Sequence, residues 1–365
     1  MKKGIILAAG LCTALMADSL GTAPGTKARA MGGAFTAVAN NNSAIYFNPA
    51  GLIVWEEGQE EFNAFTAEIG TALSLDSEDY VNNGDEYADD YNNYFWGVSH
   101  FGKDVGFGVG SYSLYSARNP YPTSGYIEQE NKILALAGAF KLTDSLYPGG
   151  GKISIGGTIG YAWTYNFWDS EVDPDQADAE SGIWSLALKA RLYESNEFNV
   201  DFGVNYRAET DYDTTALATV EVVPWNIPEE TAFGLAVSVP TEFANITVAY
   251  DYKDIGYQSA TEAEPGKENT SLFGQGDVTS HCLGAELAFE QLQVRAGYYK
   301  DSADESTDLA VRNTMEGEGY TAGVGFTFDQ WNLEAAVEKR EITAINFDDD
   351  SSDNTYYSVS ANYVF

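Results

Sequence analysis

A chain of 365 residues carrying 55 Asp and Glu against 19 Lys and Arg has a formal charge of −36, which excludes a nucleic-acid partner, because phosphate binding needs clusters of Lys and Arg. Its 24 Tyr, 19 Phe, 7 Trp and 36 Gly, with only 10 Pro, suit many short strands with half their side chains in apolar surroundings. No stretch of roughly 20 apolar residues occurs, so membrane-spanning helices are excluded as well.

Lys2 and Lys3 precede an apolar segment over 4–17, too short to cross a bilayer and fit for a secretory signal peptide cut between Ala17 and Asp18. Cys12 lies inside that segment in a poor lipoprotein context, so no lipid anchor is expected. Cys282 then stands alone in the exported chain, which excludes an intramolecular disulfide and reads as a small strand residue.

From about residue 60 the pattern has period two, the period of a strand. Ile153, Ile155, Ile159, Tyr161 and Trp163 oppose Ser154, Thr158 and Ala162. Val200, Phe202, Val204 and Tyr206 oppose Asp201, Asn205 and Arg207, and Ile246, Val248, Tyr250 and Tyr252 oppose Thr247, Asp251 and Lys253. Strands are predicted near 60–73, 91–102, 104–116, 129–141, 152–167, 182–193, 198–208, 231–240, 243–257, 278–289, 291–301, 316–328, 330–344 and 354–365. Short links alternate with long ones at 74–90, 117–128, 168–181, 209–230, 258–277, 302–315 and 345–353, with 142–151 an intermediate link on the short side. An outer-membrane barrel sorts its connections in this way, and a soluble sandwich has no reason to. The expected fold is therefore all-β: a 14-stranded antiparallel transmembrane β-barrel over 59–365, closed on itself in the outer membrane and facing its lipid.

Acid blocks such as Asp76–Asp90, Asp169–Glu180 and Asp348–Asp353 fall in the long links. None has the spacing of a known calcium loop, so they read as solvated loop tips, with cation sites as the alternative. No metal site and no cofactor is expected. Neither His100 nor His281 lies in a nucleophile motif or metal-ligand spacing, and no enzymatic activity is expected. At the end of the chain Tyr363 and Phe365 alternate with Asn362 and Val364, resembling the aromatic signal read by the barrel-assembly machinery.

Two segments resemble the FadL family of long-chain fatty-acid and hydrocarbon transporters, TodX-type proteins included. The first runs Gly25-Thr26-Lys27-Ala28-Arg29-Ala30-Met31-Gly32-Gly33-Ala34-Phe35 and on to Asn48-Pro49-Ala50-Gly51. It is similar to the family's N-terminal plug, which would occupy 18–58, although Asn-Pro-Ala-Gly is equally a set of turn formers. The second comprises Ile227-Pro228, Phe233–Ala236, Ile246–Tyr252, Val294–Tyr299 and Thr321–Gly325. The resemblance implies passive uptake of hydrophobic molecules, long-chain fatty acids or hydrocarbons, that leave sideways through the barrel wall. Under it, Phe35 and Phe47 would line a pocket, and Arg207 and Arg295, both on the lumenal face, would meet a carboxylate or else pair with Asp201, Asp251, Glu334 or Glu338. Gly106, Gly108 and Gly110 are the candidate kink for a lateral gap, or ordinary barrel glycines. PorV-like barrels share the Ala-Met-Gly-Gly and Asn-Pro-Ala-Gly features, so a structural or secretion-associated barrel that binds protein partners is the alternative.

Overall fold

The computed structural model describes residues 23–55, 59–73, 91–120, 125–143, 151–170, 175–210, 212, 227–256, 277–303, 315–344 and 351–365. The signal-peptide reading over 1–17 and the acid blocks at 76–90 and 348–350 lie outside the described residues.

Two short helices, α1 (Thr26–Ala30) and α2 (Ala44–Phe47), and a 3-10 turn (Pro49–Leu52) precede fourteen strands. These are β1 (Phe62–Leu73), β2 (Tyr91–Phe101), β3 (Val105–Pro120), β4 (Gly125–Thr143), β5 (Lys152–Ser170), β6 (Asp175–Glu194) and β7 (Asn199–Arg207). They continue with β8 (Glu229–Pro240), β9 (Asn245–Gly256), β10 (Val278–Ala288), β11 (Leu292–Ala303), β12 (Met315–Phe328), β13 (Trp331–Ala344) and β14 (Ser351–Val364). Each pairs antiparallel with the next, and β14 returns to β1, so the sheet closes into a barrel. Closure also uses the chain end: Phe365 N–H donates to the Asn63 carbonyl at 2.9 Å, and Asn63 N–H donates to the Phe365 carbonyl at 3.1 Å. Every backbone group in lipid must find a partner, and pairing β14 with β1 removes the two edges that an open sheet would leave.

The alternation read from sequence is the division between outside and inside. Ile69, Ile159 and Leu186, each at least 60% exposed, point outward, whereas Ser154, Thr158, Asn205, Asp251 and Lys253 point inward and are buried. Aromatic side chains gather at both margins of the apolar band. Tyr161, Trp163 and Trp184 lie towards the long-loop end; Tyr193, Phe243, Phe289 and Trp331 lie at the short-turn end.

Two of the expected loops are shorter than the sequence pattern suggests. β3 and β4 stay paired to Pro120↔Tyr126, and β5 and β6 to Trp168↔Asp175. Asp175, Asp178 and Glu180 therefore stand on a strand rather than in the loop predicted over 168–181. Ladder bonds join backbone to backbone and need no apolar side chain, so the strands continue where the alternation fades. β7 stops at Arg207, opposite Ser185, and the upper part of β6 rises past it. The four strands β3–β6 thus stand taller than the rest of the wall.

Candidate functional site

Residues 23–55 fill the lumen, and their attachments are spread around the wall. Glu68 on β1 accepts hydrogen bonds from Gly25 N–H (2.9 Å) and Thr26 N–H (2.6 Å), which open α1. Asp251 on β9 accepts from the N–H groups of Phe35 and Thr36 at 2.9 and 2.8 Å. Arg29 pairs with Glu338 at 2.5 Å, and Lys27 with Glu286 at 3.2 Å. Thr158 Oγ1 donates to the Ile45 carbonyl and Ser154 Oγ to the Ala50 carbonyl, both at 3.0 Å. An orphaned buried amide or carbonyl costs about 1–3 kcal/mol, and these partners remove that cost from a segment with little regular structure.

The Asn48-Pro49-Ala50-Gly51 motif is both a turn and a plug anchor. Asn48 is extended, as a residue before proline prefers, and its Oδ1 accepts from Ala50 N–H at 3.1 Å. Its Nδ2 donates to the Thr36 carbonyl within the plug (2.8 Å) and to the Leu188 carbonyl of β6 (3.1 Å). A side chain at Gly51 would strike the Ala39 carbonyl. Gly32 and Gly33 both have positive φ, at 62° and 78°, where an L side chain is strained. Facing them, wall glycines let backbone meet backbone: a Cβ at Gly297 would collide with Gly32 N, and one at Gly156 would lie 2.5 Å from Ala50 N.

The same close approach explains Gly106, Gly108 and Gly110. All three pair with β4 in unbroken register, so this stretch is regular rather than kinked. A Cβ at Gly106 would strike Leu52, and one at Gly110 would lie 3.1 Å from the Ile45 side chain. The irregularity lies further along β3. Between Ser113 and Tyr115 the register against β4 shifts by one residue, leaving Leu114 as a bulge.

At the same level the β2–β3 ladder ends. It runs from His100↔Phe107 to Phe95↔Tyr112 and stops, although β2 continues to Tyr91 along β1 and β3 continues to Pro120 along β4. Among the described residues this is the shortest ladder of the barrel, and above it the wall has a seam. Phe95 and Tyr112, the last pair, both point inward and are buried.

Below the seam lies an aromatic floor. Phe35 and Phe47 meet edge to face at 5.4 Å, Tyr46 and Phe47 at 5.0 Å, and Tyr46 and Tyr112 at 5.5 Å. Arg207 lies 4.2 Å above the Tyr46 ring and bonds Glu230 at 2.6 Å through Nη2, while its Nε and Nη1 meet no hydrogen-bond partner among the described residues. Lys253, 1% exposed, has its ammonium 5.6 Å from the centre of the Phe47 ring and makes no ion pair among the described residues. Tyr212 and Ile227, from the β7–β8 connection, are buried too, and Asn131 Nδ2 donates to the Tyr212 hydroxyl at 2.6 Å. Three of the four candidate pocket residues, Phe35, Phe47 and Arg207, are thus brought together. Arg295 is not with them. It is held by Glu286 at 2.6 Å and Glu334 at 3.0 Å, beside Lys27.

Beneath the plug, a cavity of about 350 Å³ opens towards the short turns and is lined by Trp55, Lys189, Arg191 and Asp201 among others. Sequence reasoning did not single out Glu68, Tyr46, Tyr112, Glu230 or Lys253 as site residues. Inward parity on a strand was the available signal for all but Tyr46, which lies on α2.

A closed fourteen-strand antiparallel wall around an N-terminal plug decides the comparison. The fold is that of the FadL-type barrels. The chain superimposes on a FadL homologue from Pseudomonas aeruginosa with a TM-score of 0.58 at 12% identity, covering 93% of this chain and 97% of that one. It matches the Ralstonia pickettii toluene transporter TbuX at 0.58 and 13% identity, over 95% and 99%. The Pseudomonas putida toluene transporter TodX matches at 0.57 and 13%, over 94% and 99%. No family model matches the sequence. Among curated proteins, 110 residues are 29% identical to the arginine–tRNA ligase of Pyrococcus furiosus, spanning 28% of this chain and 18% of that enzyme. So small a share of either chain establishes no common fold.

Proposed function

We propose that this chain is an outer-membrane channel, not an enzyme, for passive uptake of hydrophobic molecules through a plugged barrel. The observation that carries the reading is the seam above Phe95↔Tyr112, where β2 and β3 lie without ladder bonds beside the aromatic floor of Phe35, Tyr46, Phe47 and Tyr112. An apolar solute gains free energy by passing from such a floor into the bilayer, at roughly 25 cal/mol per Å² kept from water. A straight path to the periplasm is filled by the plug. The FadL-type barrels of similar fold are toluene transporters in two of the cases above.

Arg207 and Lys253 favour a solute with an anionic end, such as a long-chain fatty acid, over a neutral hydrocarbon. Of these two buried cations Arg207 is paired with Glu230 and Lys253 with no carboxylate among the described residues, and Nε and Nη1 of Arg207 await an acceptor. Uptake of labelled fatty acids and of toluene by a deletion strain tests the reading. Slower uptake, restored by the cloned gene, is expected; unchanged uptake of every compound overturns it. The second reading, a barrel that binds protein partners, draws on the tall β3–β6 sheet and predicts a protein that co-purifies with the barrel.

A further inference from the structure

We propose that Tyr356 is a positioning residue that ties the plug to the free margin of the seam. Above Phe95, the backbone of β2 is paired on one side only among the described residues, through Tyr91↔Ala72 and Asn93↔Gly70 of β1. A strand margin of this kind needs something else to hold it. Asn93 in this stretch points inward and is buried, and its Oδ1 accepts a hydrogen bond from the hydroxyl of Tyr356. Tyr356 belongs to β14, so its side chain reaches across β1 to do this. It crosses at Gly70, where a Cβ would lie 2.6 Å from Asn93 Oδ1 and would strike the tyrosine hydroxyl.

The other face of the tyrosine ring belongs to the plug. The Arg29 guanidinium lies 3.8 Å above the ring centre, the geometry of a cation–π contact. Arg29 is fixed in turn by Glu338 and by the Ala23 carbonyl, 3.2 Å from Nη2. Glu68, which holds the start of α1, sits opposite Phe95 in the β1–β2 register, level with the last β2–β3 pair. Plug, Tyr356 and Asn93 therefore form one connected chain from α1 to the seam. If α1 shifts, the ring loses its seat, its hydroxyl leaves Asn93, and the upper part of β2 is released. The lateral route proposed above gives this link its purpose, but the link itself is a property of the empty barrel.

The test is amide hydrogen exchange on the full-length barrel in lipid, with heat-modifiable migration as the check on folding. Tyr356→Phe removes the hydroxyl and keeps the ring; Asn93→Leu removes the acceptor at similar volume. Each is expected to raise exchange over residues 91–95 at least tenfold and to leave 96–101 unchanged. Arg29→Gln is expected to raise exchange over the same residues, and Tyr356→Phe added to it to produce little further change. Unchanged exchange over 91–95 in Tyr356→Phe and Asn93→Leu, or a rise confined to the plug in Arg29→Gln, overturns the proposal. Fatty-acid uptake by the same variants is a separate readout. A loosened seam with unaltered uptake leaves the link standing and removes the lateral route.

Discussion

The Arg29 guanidinium and the Glu338 carboxylate meet at 2.5 Å, both fully out of water, although they lie 309 residues apart in the chain. Glu338 also faces Arg340 at 3.1 Å and accepts from the Tyr299 hydroxyl at 2.7 Å. Breaking a buried pair by removing one partner costs about 3–5 kcal/mol, because the remaining charge is left uncompensated. Glu338→Gln leaves two cations facing a neutral amide, so the plug is expected to detach from β13 before the wall unfolds. Faster proteolysis of the plug, with heat-modifiable migration retained, is the readout.

Asp251 holds a different part of the plug. Its Oδ2 takes two backbone N–H groups, and hydrogen bonds to a charged acceptor contribute about 1.5–3 kcal/mol each. Asp251→Asn keeps an acceptor but removes the charge. It is expected to loosen Phe35 and Thr36 and to raise ion conductance in planar bilayers above that of the parent barrel.

The glycine contacts give a steric prediction. Gly297→Val places carbon where Gly32 N now lies, and overpacking typically costs about 1–3 kcal/mol. The β11 ladder has partners on both sides, so the plug is expected to yield first. Raised conductance with an intact barrel is the expected result, whereas Gly182→Val, where a Cβ meets nothing within 4 Å, is expected to change neither.

Headgroup preference is separable from transport. Arg207→Met combined with Lys253→Met removes both cations while keeping chain length, and leaves Glu230 without its partner. Fatty-acid uptake is expected to fall at least tenfold, with toluene uptake little changed. An equal loss for both solutes assigns the two cations to structure alone.

Phe365 closes the barrel through the two backbone bonds to Asn63, and its ring stacks on Tyr363 with centroids 5.9 Å apart. Deleting it is expected to lower the amount of folded, heat-modifiable protein in outer membranes, measured against total synthesis.

The wall was legible because lipid outside and polar lumen inside impose opposite demands on neighbouring residues, as Ile159 and Thr158 show. The reading broke down at the tops of β3–β6, where that contrast ends but backbone pairing does not. Asn48 and Pro49 pointed to a plug through the family resemblance of their segment, while their local chemistry alone spoke equally for a turn. Its anchors, Glu68 and Asp251, left no such mark: a carboxylate that takes backbone N–H groups from a segment 42 or 215 residues away has no local pattern. In the sequence, Gly106, Gly108 and Gly110 read either as a kink for a lateral gap, since strand glycines often mark bulges, or as ordinary barrel glycines. These glycines make room for Leu52 and Ile45, and the register shift of β3 falls further along, at the extra residue Leu114.

Because plug and wall touch backbone to backbone at the glycine contacts, no side chain stands between them there to trim. At those points, anyone wishing to widen this pore by protein engineering gains nothing from shaving the strands. The aperture has to be cut from the residues of the stopper, and any bulk added to the staves works as a wedge.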